Sequence, residues 1–143
     1  MTQASPAPKH LWIVGIVTLL WNLMGAYDYL MTQTRNEAYM AKFTQQQLDY
    51  FYGFPAWFEF FWALAVWGGV LGCVLLLLRK ALAVPVFAVS FVSMVITTIY
   101  SFGLSDGLAV MGALGLGFSL AIFLVALGLV LYARAMRVRG VLA

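Results

Sequence analysis

Four stretches of this chain, each more than twenty residues long, are almost free of charge, and they constrain the fold more than any motif does. They cover about residues 11–31, 56–78, 81–102 and 107–133. A hydrocarbon core of ~30 Å is crossed by about 20 residues of helix rising ~1.5 Å each. Lipid offers no partner to a backbone N–H or C=O, so a lipid-facing segment must satisfy its own backbone, and a helix does that within itself. The expected fold is therefore all-α: a polytopic membrane protein whose 143 residues form a single four-helix transmembrane bundle.

Composition excludes the soluble alternative. The chain is 64% hydrophobic and 9% charged, against about 25% charged in ordinary soluble domains. A chain of this length cannot bury that much apolar surface in a water-soluble core. The first run is longer than the apolar core of a cleaved signal peptide. Its best small-residue cleavage candidate ends at Ala26, where Met24 occupies a position that wants a small side chain, so it reads as an uncleaved anchor. Pro85 falls in the first turn of the third span, where a missing N–H costs little.

The cations set the orientation. Lys9 precedes the first span, Arg79 and Lys80 join the second to the third, and Arg134, Arg137 and Arg139 follow the fourth, all on one side of a four-span chain. Only Arg35 and Lys42 lie on the other. The positive-inside rule then expects both termini in the cytoplasm, here of a bacterial inner membrane. The acids Asp28, Glu37, Asp49, Glu59 and Asp106 fall in the opposite half and make the outer face acidic. The arginine-rich end suits an anchor to anionic lipid.

Between the first two spans lies TRNEAYMAKFTQQQLDYFYGFP, too aromatic for a loose linker. Thr34 with Glu37, and Thr44 with Gln47, have capping-box spacing, and Phe43 with Leu48 has that of a hydrophobic staple. Gly53 and Pro55 end the segment. One or two short interfacial helices are expected over about residues 36–52. Tyr39, Met40, Phe43, Leu48, Phe51 and Tyr52 would dip into the membrane interface, with Lys42, Gln46 and Asp49 toward water. The segment reads as a tether between spans, or as a lid over an outward cavity or a docking surface. Trp57, Phe58, Trp62 and Tyr27 would add to an aromatic belt at that level.

Polar groups inside the spans are sparse. Asn22, Gly25 and Tyr29 share one face of the first span, with Asp28 near its outer end, and Glu59 lies in the first turn of the second. Ser90, Ser93, Thr97, Tyr100 and Ser101 form a stripe at helical spacing on the third. A charge at mid-membrane costs ~3 kcal/mol, but near an interface much less, so Asp28 and Glu59 need not be buried charges. Asn22 is deeper, and the Ser93–Thr97 stripe is its expected partner. Such interhelical bonds average about 0.6 kcal/mol, enough to orient a helix. Ala65, Gly69 and Cys73, Gly68 and Gly72, and Ala113, Gly117 and Ala121 repeat every four residues, ridges that suit close packing within the bundle or a dimer seam.

Several chemistries lack their residues. A lone cysteine, Cys73, makes no internal disulfide, and a lone histidine, His10, does not ligate a haem between two imidazoles. The chain has no P-loop and no G-x-S-x-G, and its GALGLG stretch lacks the strand context of a nucleotide fingerprint. No cofactor or metal is expected, no nucleic-acid partner, and no enzyme, since no nucleophile–base–orienter set is readable.

The stretches LWIVGIVTLLWNLMGAYDYLMTQT, FTQQQLDYFYGFPAWFEFFWALAVWGGVLGCVLLLLRK and ALGLVLYARAMRVRG make nearly the whole chain resemble a family of small four-helix bacterial inner-membrane proteins, some of which carry the label "sugar transporter". The resemblance implies the four-span fold and brings over no catalytic or binding residue. Two functions fit the sequence. One is a non-enzymatic structural or accessory membrane protein that self-associates or joins a membrane complex, with lipid as its solvent. The other is a small transporter, as a single chain or a dimer, of a sugar-like or other small polar solute, with an acidic outward vestibule lined by Asn22, Asp28, Glu59, Trp62, Ser93, Thr97 and Tyr100, and with Asp28 or Glu59 carrying a coupling proton. The charge distribution predicts that a topology reporter fused after Ala143 is active only in the cytoplasm. Activity outside the cell would reverse the assignment.

Overall fold

The computed structural model describes residues 6–143. The elements in order are α1 (Lys9–Gln33), α2 (Glu37–Met40), α3 (Gln45–Tyr52), α4 (Ala56–Leu77), α5 (Ala83–Ile99), a π-helical turn (Tyr100–Leu104) and α6 (Gly107–Val138). Among the described residues there is no strand. α1, α4, α5 with its π turn, and α6 are each long and apolar enough to cross a membrane, as expected of a multi-pass membrane protein. One end of the bundle carries α2 and α3 and is called the lid end. The other holds the start of α1, the α4–α5 turn and the end of α6, and is called the basic end.

α4 is the central helix. It packs on α1 along one side and on α5 along another, while α6 packs chiefly on α5. Its glycines explain the closeness. A Cβ at Gly69 would run into Asn22 Oδ1 of α1, and one at Gly72 would run into the Phe87 ring of α5. At Gly68 it would lie 3.0 Å from Ser90 Cβ. Small residues every four positions thus place two neighbours against one helix, as small-residue ridges do in lipid. The ridge on α6 behaves differently: Gly117 has no atom within 4 Å of the position a Cβ would take.

Buried side chains gather at the basic end. Leu11, Cys73, Leu76, Phe87, Leu129 and Met136 form one cluster, joined by Val141 and Leu142 of the segment after α6. That segment turns back at Gly140, whose φ of 75° suits a residue without a Cβ. It is then stitched to the α4–α5 turn. Ala143 N–H donates to Arg79 O at 3.0 Å, Ala81 N–H donates to Ala143 O at 3.0 Å, and Arg79 Nε donates to Val141 O at 3.2 Å. His10 Nδ1 and Tyr132 Oη share a hydrogen bond of 2.5 Å that ties α1 to α6 at the same end.

Three expectations need correction. The fourth span is not one regular helix: Gly112 takes φ 71° and ψ −169°, breaking α6 near its start, and α6 runs on to Val138 rather than stopping at 133. The third span begins and ends in other geometries, with α5 covering Ala83–Ile99 and five π-helical residues completing it. Thr34 does not cap α2. Asn36 does, accepting from Tyr39 N–H at 3.0 Å, while the Thr34 hydroxyl turns back to Leu30 O at 2.6 Å. Asn36 lies directly before the helix, the position from which a side-chain oxygen reaches the third N–H. The Thr44–Gln47 capping box of α3 is present with both its bonds.

Gly69→Ala and Gly72→Ala should each lower the thermal midpoint in detergent, by the ~1–3 kcal/mol of an overpacked contact. Gly117→Ala should leave it unchanged or slightly raised, since alanine is the better helix former. Equal effects at all three positions would refute the central role of α4.

Candidate functional site

The four long helices line a cavity of about 560 Å³ that runs from the lid to Phe87 and Leu129 of the basic-end cluster, within the range of small-molecule sites, roughly 300–1,000 Å³. It arises because α6 packs tightly only toward the basic end. Its buried residues, apart from Gly107, are Leu129, Ala133 and Met136. Nearer the lid, α1 and α6 meet through side chains, with the Trp21 and Phe118 rings 5.8 Å apart. Gly25 of α1 lines the cavity and has nothing within 4 Å of its Cβ position.

Four of the seven residues expected in a vestibule line this cavity: Asn22, Asp28, Trp62 and Thr97. Ser93 does not. It is buried on α5, with 3% of its surface exposed. Tyr100 is half-buried in a ring cluster outside the cavity, 5.1 Å from both Trp57 and Phe58. Glu59 is half-buried and also does not line it. Tyr100 lies three positions after Thr97 and Ser101 four, and it is Ser101 that stays on the cavity side.

The partner expected for Asn22 is also corrected. Its Nδ2 donates to Thr18 O at 2.8 Å and lies 3.5 Å from Cys73 Sγ. α4 stands where α5 was expected, so the amide meets a glycine–cysteine groove and its own helix rather than the serine–threonine stripe. The hydroxyls of that stripe have other partners. Ser90 Oγ donates across to Ala65 O of α4 at 2.6 Å, while Thr97, like its neighbour Thr98, donates to Met94 O of its own helix at 2.8 Å. A hydroxyl whose one hydrogen is already bonded to backbone has none left to donate to Asn22.

The mouth of the cavity holds what sequence reading missed. Tyr39, Phe43 and Phe51, expected to dip into the membrane interface, line the cavity instead, as does Phe54. Phe58 and Trp62, assigned to an aromatic belt, also turn inward, whereas Trp57 and Tyr27 stay exposed. Tyr39 is the hinge of the arrangement. Its hydroxyl donates to Asp28 Oδ1, and its ring lies 3.9 Å below the Lys42 ammonium. Lys42, expected to face water, is exposed yet sits over Tyr39 and Phe43, 5.2 Å from the latter's centroid. Burial first, and the Asp28 carboxylate second, push the Tyr39 phenol above its ordinary value of 10.0. On the other side of the mouth, Tyr50 Oη shares a 2.7 Å hydrogen bond with Ser105 Oγ, fastening α3 to the α5–α6 turn. The lid is thus held at both edges. The sequence signal for this was the density of rings in residues 36–54, and of the two readings given to that segment the lid over a cavity is the one that these contacts suit. Among the described residues no cluster of histidine, cysteine or acids could hold a metal.

A tyrosine whose pKa is raised on folding adds stability below its ordinary value and loses it as pH climbs through the raised one. The Tyr39–Asp28 bond should therefore hold at neutral pH and fail only in strong alkali. Tyr39→Phe removes it at every pH. A bond to a charged group, discounted for partial exposure, contributes about 1 kcal/mol, so hydrogen exchange in residues 36–52 should quicken roughly fivefold while the long helices are unaffected. Unchanged exchange would mean that the bond does not hold the lid. In comparisons with known proteins, the chain matches no protein-family model, no curated protein and no solved structure.

Proposed function

We propose that this protein is a small-molecule-binding membrane protein of the transporter class, with its lid toward the outside of a bacterial inner membrane and its basic end in the cytoplasm. The observation that carries the reading is the cavity itself. It draws residues from all four long helices and both short ones. A bundle serving only as a scaffold gains nothing from such a space, because packing defects are destabilising even at the size of a methyl group, at about 1 kcal/mol each. The walls are mostly apolar, with polar groups concentrated at the mouth and a thin line of hydroxyls on α5 and α6. That pattern suits a solute with an apolar body and one polar end better than a sugar, which needs hydrogen-bonding groups on all sides.

A second reading, self-association as a structural or accessory protein, rests on a different feature. The Ala113–Gly117–Ala121 ridge of α6 is not filled by this chain at Gly117. The two readings are compatible, since a dimer formed through α6 leaves the mouth of the cavity free.

Gly25→Leu places a side chain in the cavity from a position whose Cβ meets no neighbour, and it removes a helix-weakening glycine. In nanodiscs, wild-type protein should show saturable energy transfer from tryptophan to a neutral naphthylamine dye. Gly25→Leu should abolish the transfer at an equal or higher thermal midpoint, and Gly117→Leu, which lies outside the cavity, should retain it. No saturable transfer in the wild type, or unchanged transfer in Gly25→Leu, would overturn the proposal.

A further inference from the structure

We infer that the polar end of the solute is an organic cation, an ammonium or similar group, and that Lys42 is a tethered substitute for it. The inference rests on the binding reading above and names the ligand class of the same cavity. Asp28 and Lys42 are the only charged residues among those lining the cavity. They sit on the two faces of one side chain: the Tyr39 hydroxyl donates to Asp28, and the Tyr39 ring faces the Lys42 ammonium.

Lys42 approaches rings rather than an acid. Its Nζ is 3.9 Å from the Tyr39 centroid and 5.2 Å from that of Phe43, and it makes no ion pair with any described residue. Ring faces carry negative potential, and a cation placed within about 6 Å of one is attracted to it. The mouth therefore already demonstrates its selectivity on a cation supplied by the chain. Lys42 reaches it from the short connection between α2 and α3, on a flexible stem that can swing to water without unfolding a helix. When it does, the site is left with Asp28 and a set of rings, including Phe43, Phe51 and Trp62, and carries a net charge of −1. A quaternary or protonated amine with an apolar body complements that site: the head takes the place of the lysine ammonium over the Tyr39 and Phe43 rings, in a cavity that Asp28 also lines, and the body enters the apolar part beside Gly25. An anion would face the reverse situation, needing Lys42 in place while meeting Asp28 and the negative faces of the rings.

The two polarities predict opposite responses to the same substitution, so Lys42→Met decides between them. The probes are two dansyl compounds on one linker, headed by trimethylammonium or by sulfonate, titrated into protein in nanodiscs of uncharged lipid with tryptophan-to-dansyl transfer as the readout. The expected result is saturable binding of the ammonium probe, tightened about tenfold by Lys42→Met and weakened about tenfold by Asp28→Asn, with the sulfonate probe binding at least tenfold more weakly than the ammonium probe. Lys42 is exposed, so its replacement should not disturb folding. Ammonium binding that is weakened or unmoved by Lys42→Met, or sulfonate binding equal to ammonium, would overturn the assignment. If both charged probes fail while the neutral naphthylamine dye still binds, the cation assignment falls and the cavity's binding role stands. If all three fail, both fall together.

Discussion

The approach of α4 to its two neighbours at Gly68, Gly69 and Gly72 determines where space remains in this bundle. Four helices of equal girth would close around a filled centre. Here two of them press into the grooves of a third, and α6 has to complete the ring with only α5 as a firm support. Its buried side chains lie at the basic end, at Leu129, Ala133 and Met136. Toward the lid it is interrupted at Gly112, and glycine is the residue that accepts the positive φ found there. The cavity occupies the space that this arrangement leaves between the four helices.

The amide and the carboxylate in the first span have different explanations. Asn22 orients α1 against α4. Its side chain fills the groove that Gly69 opens, and its amide hydrogens are taken by Thr18 and the Cys73 sulfur. Asp28, two turns further, serves the lid. In a segment otherwise made for lipid, each group is tolerated because a specific partner stands opposite it, one in the bundle and one in the loop.

Much of the architecture was legible in the sequence because lipid permits so few solutions. Length, hydropathy and the absence of charge identified all four long helices to within a few residues, apart from the C-terminal extension of α6, and Thr44 with Gln47 marked the start of α3. What periodicity cannot reveal is which helix faces which. The serine–threonine stripe and Asn22 both point into the bundle, but the order of the helices around the axis decided that α4, not α5, would receive the amide. A stripe drawn at helical spacing also does not separate Tyr100, three positions after Thr97, from Ser101, four after it, and only Ser101 faces the cavity. The rings of residues 36–54 left two readings open, a tether at the interface and a lid. Aromatic side chains suit a membrane interface and the roof of a cavity equally well, and nothing local tells the two apart. Glu59 was placed in the vestibule on its depth alone, and depth does not specify direction.

The strap formed by residues 140–143 gives the cavity a polarity of its own. Val141 and Leu142 lie among the most deeply buried side chains, and the backbone around them is joined to the turn between α4 and α5 by three hydrogen bonds. The lining of the cavity reaches Phe87 and Leu129, two members of the cluster that the strap joins. Passage through the molecule would require the strap to lift and strip Leu11 and Leu76 of their cover, whereas simple capture and release at the lid would leave it untouched. On the proposed reading, the cost of undoing that short stretch is what separates conduction from simple holding.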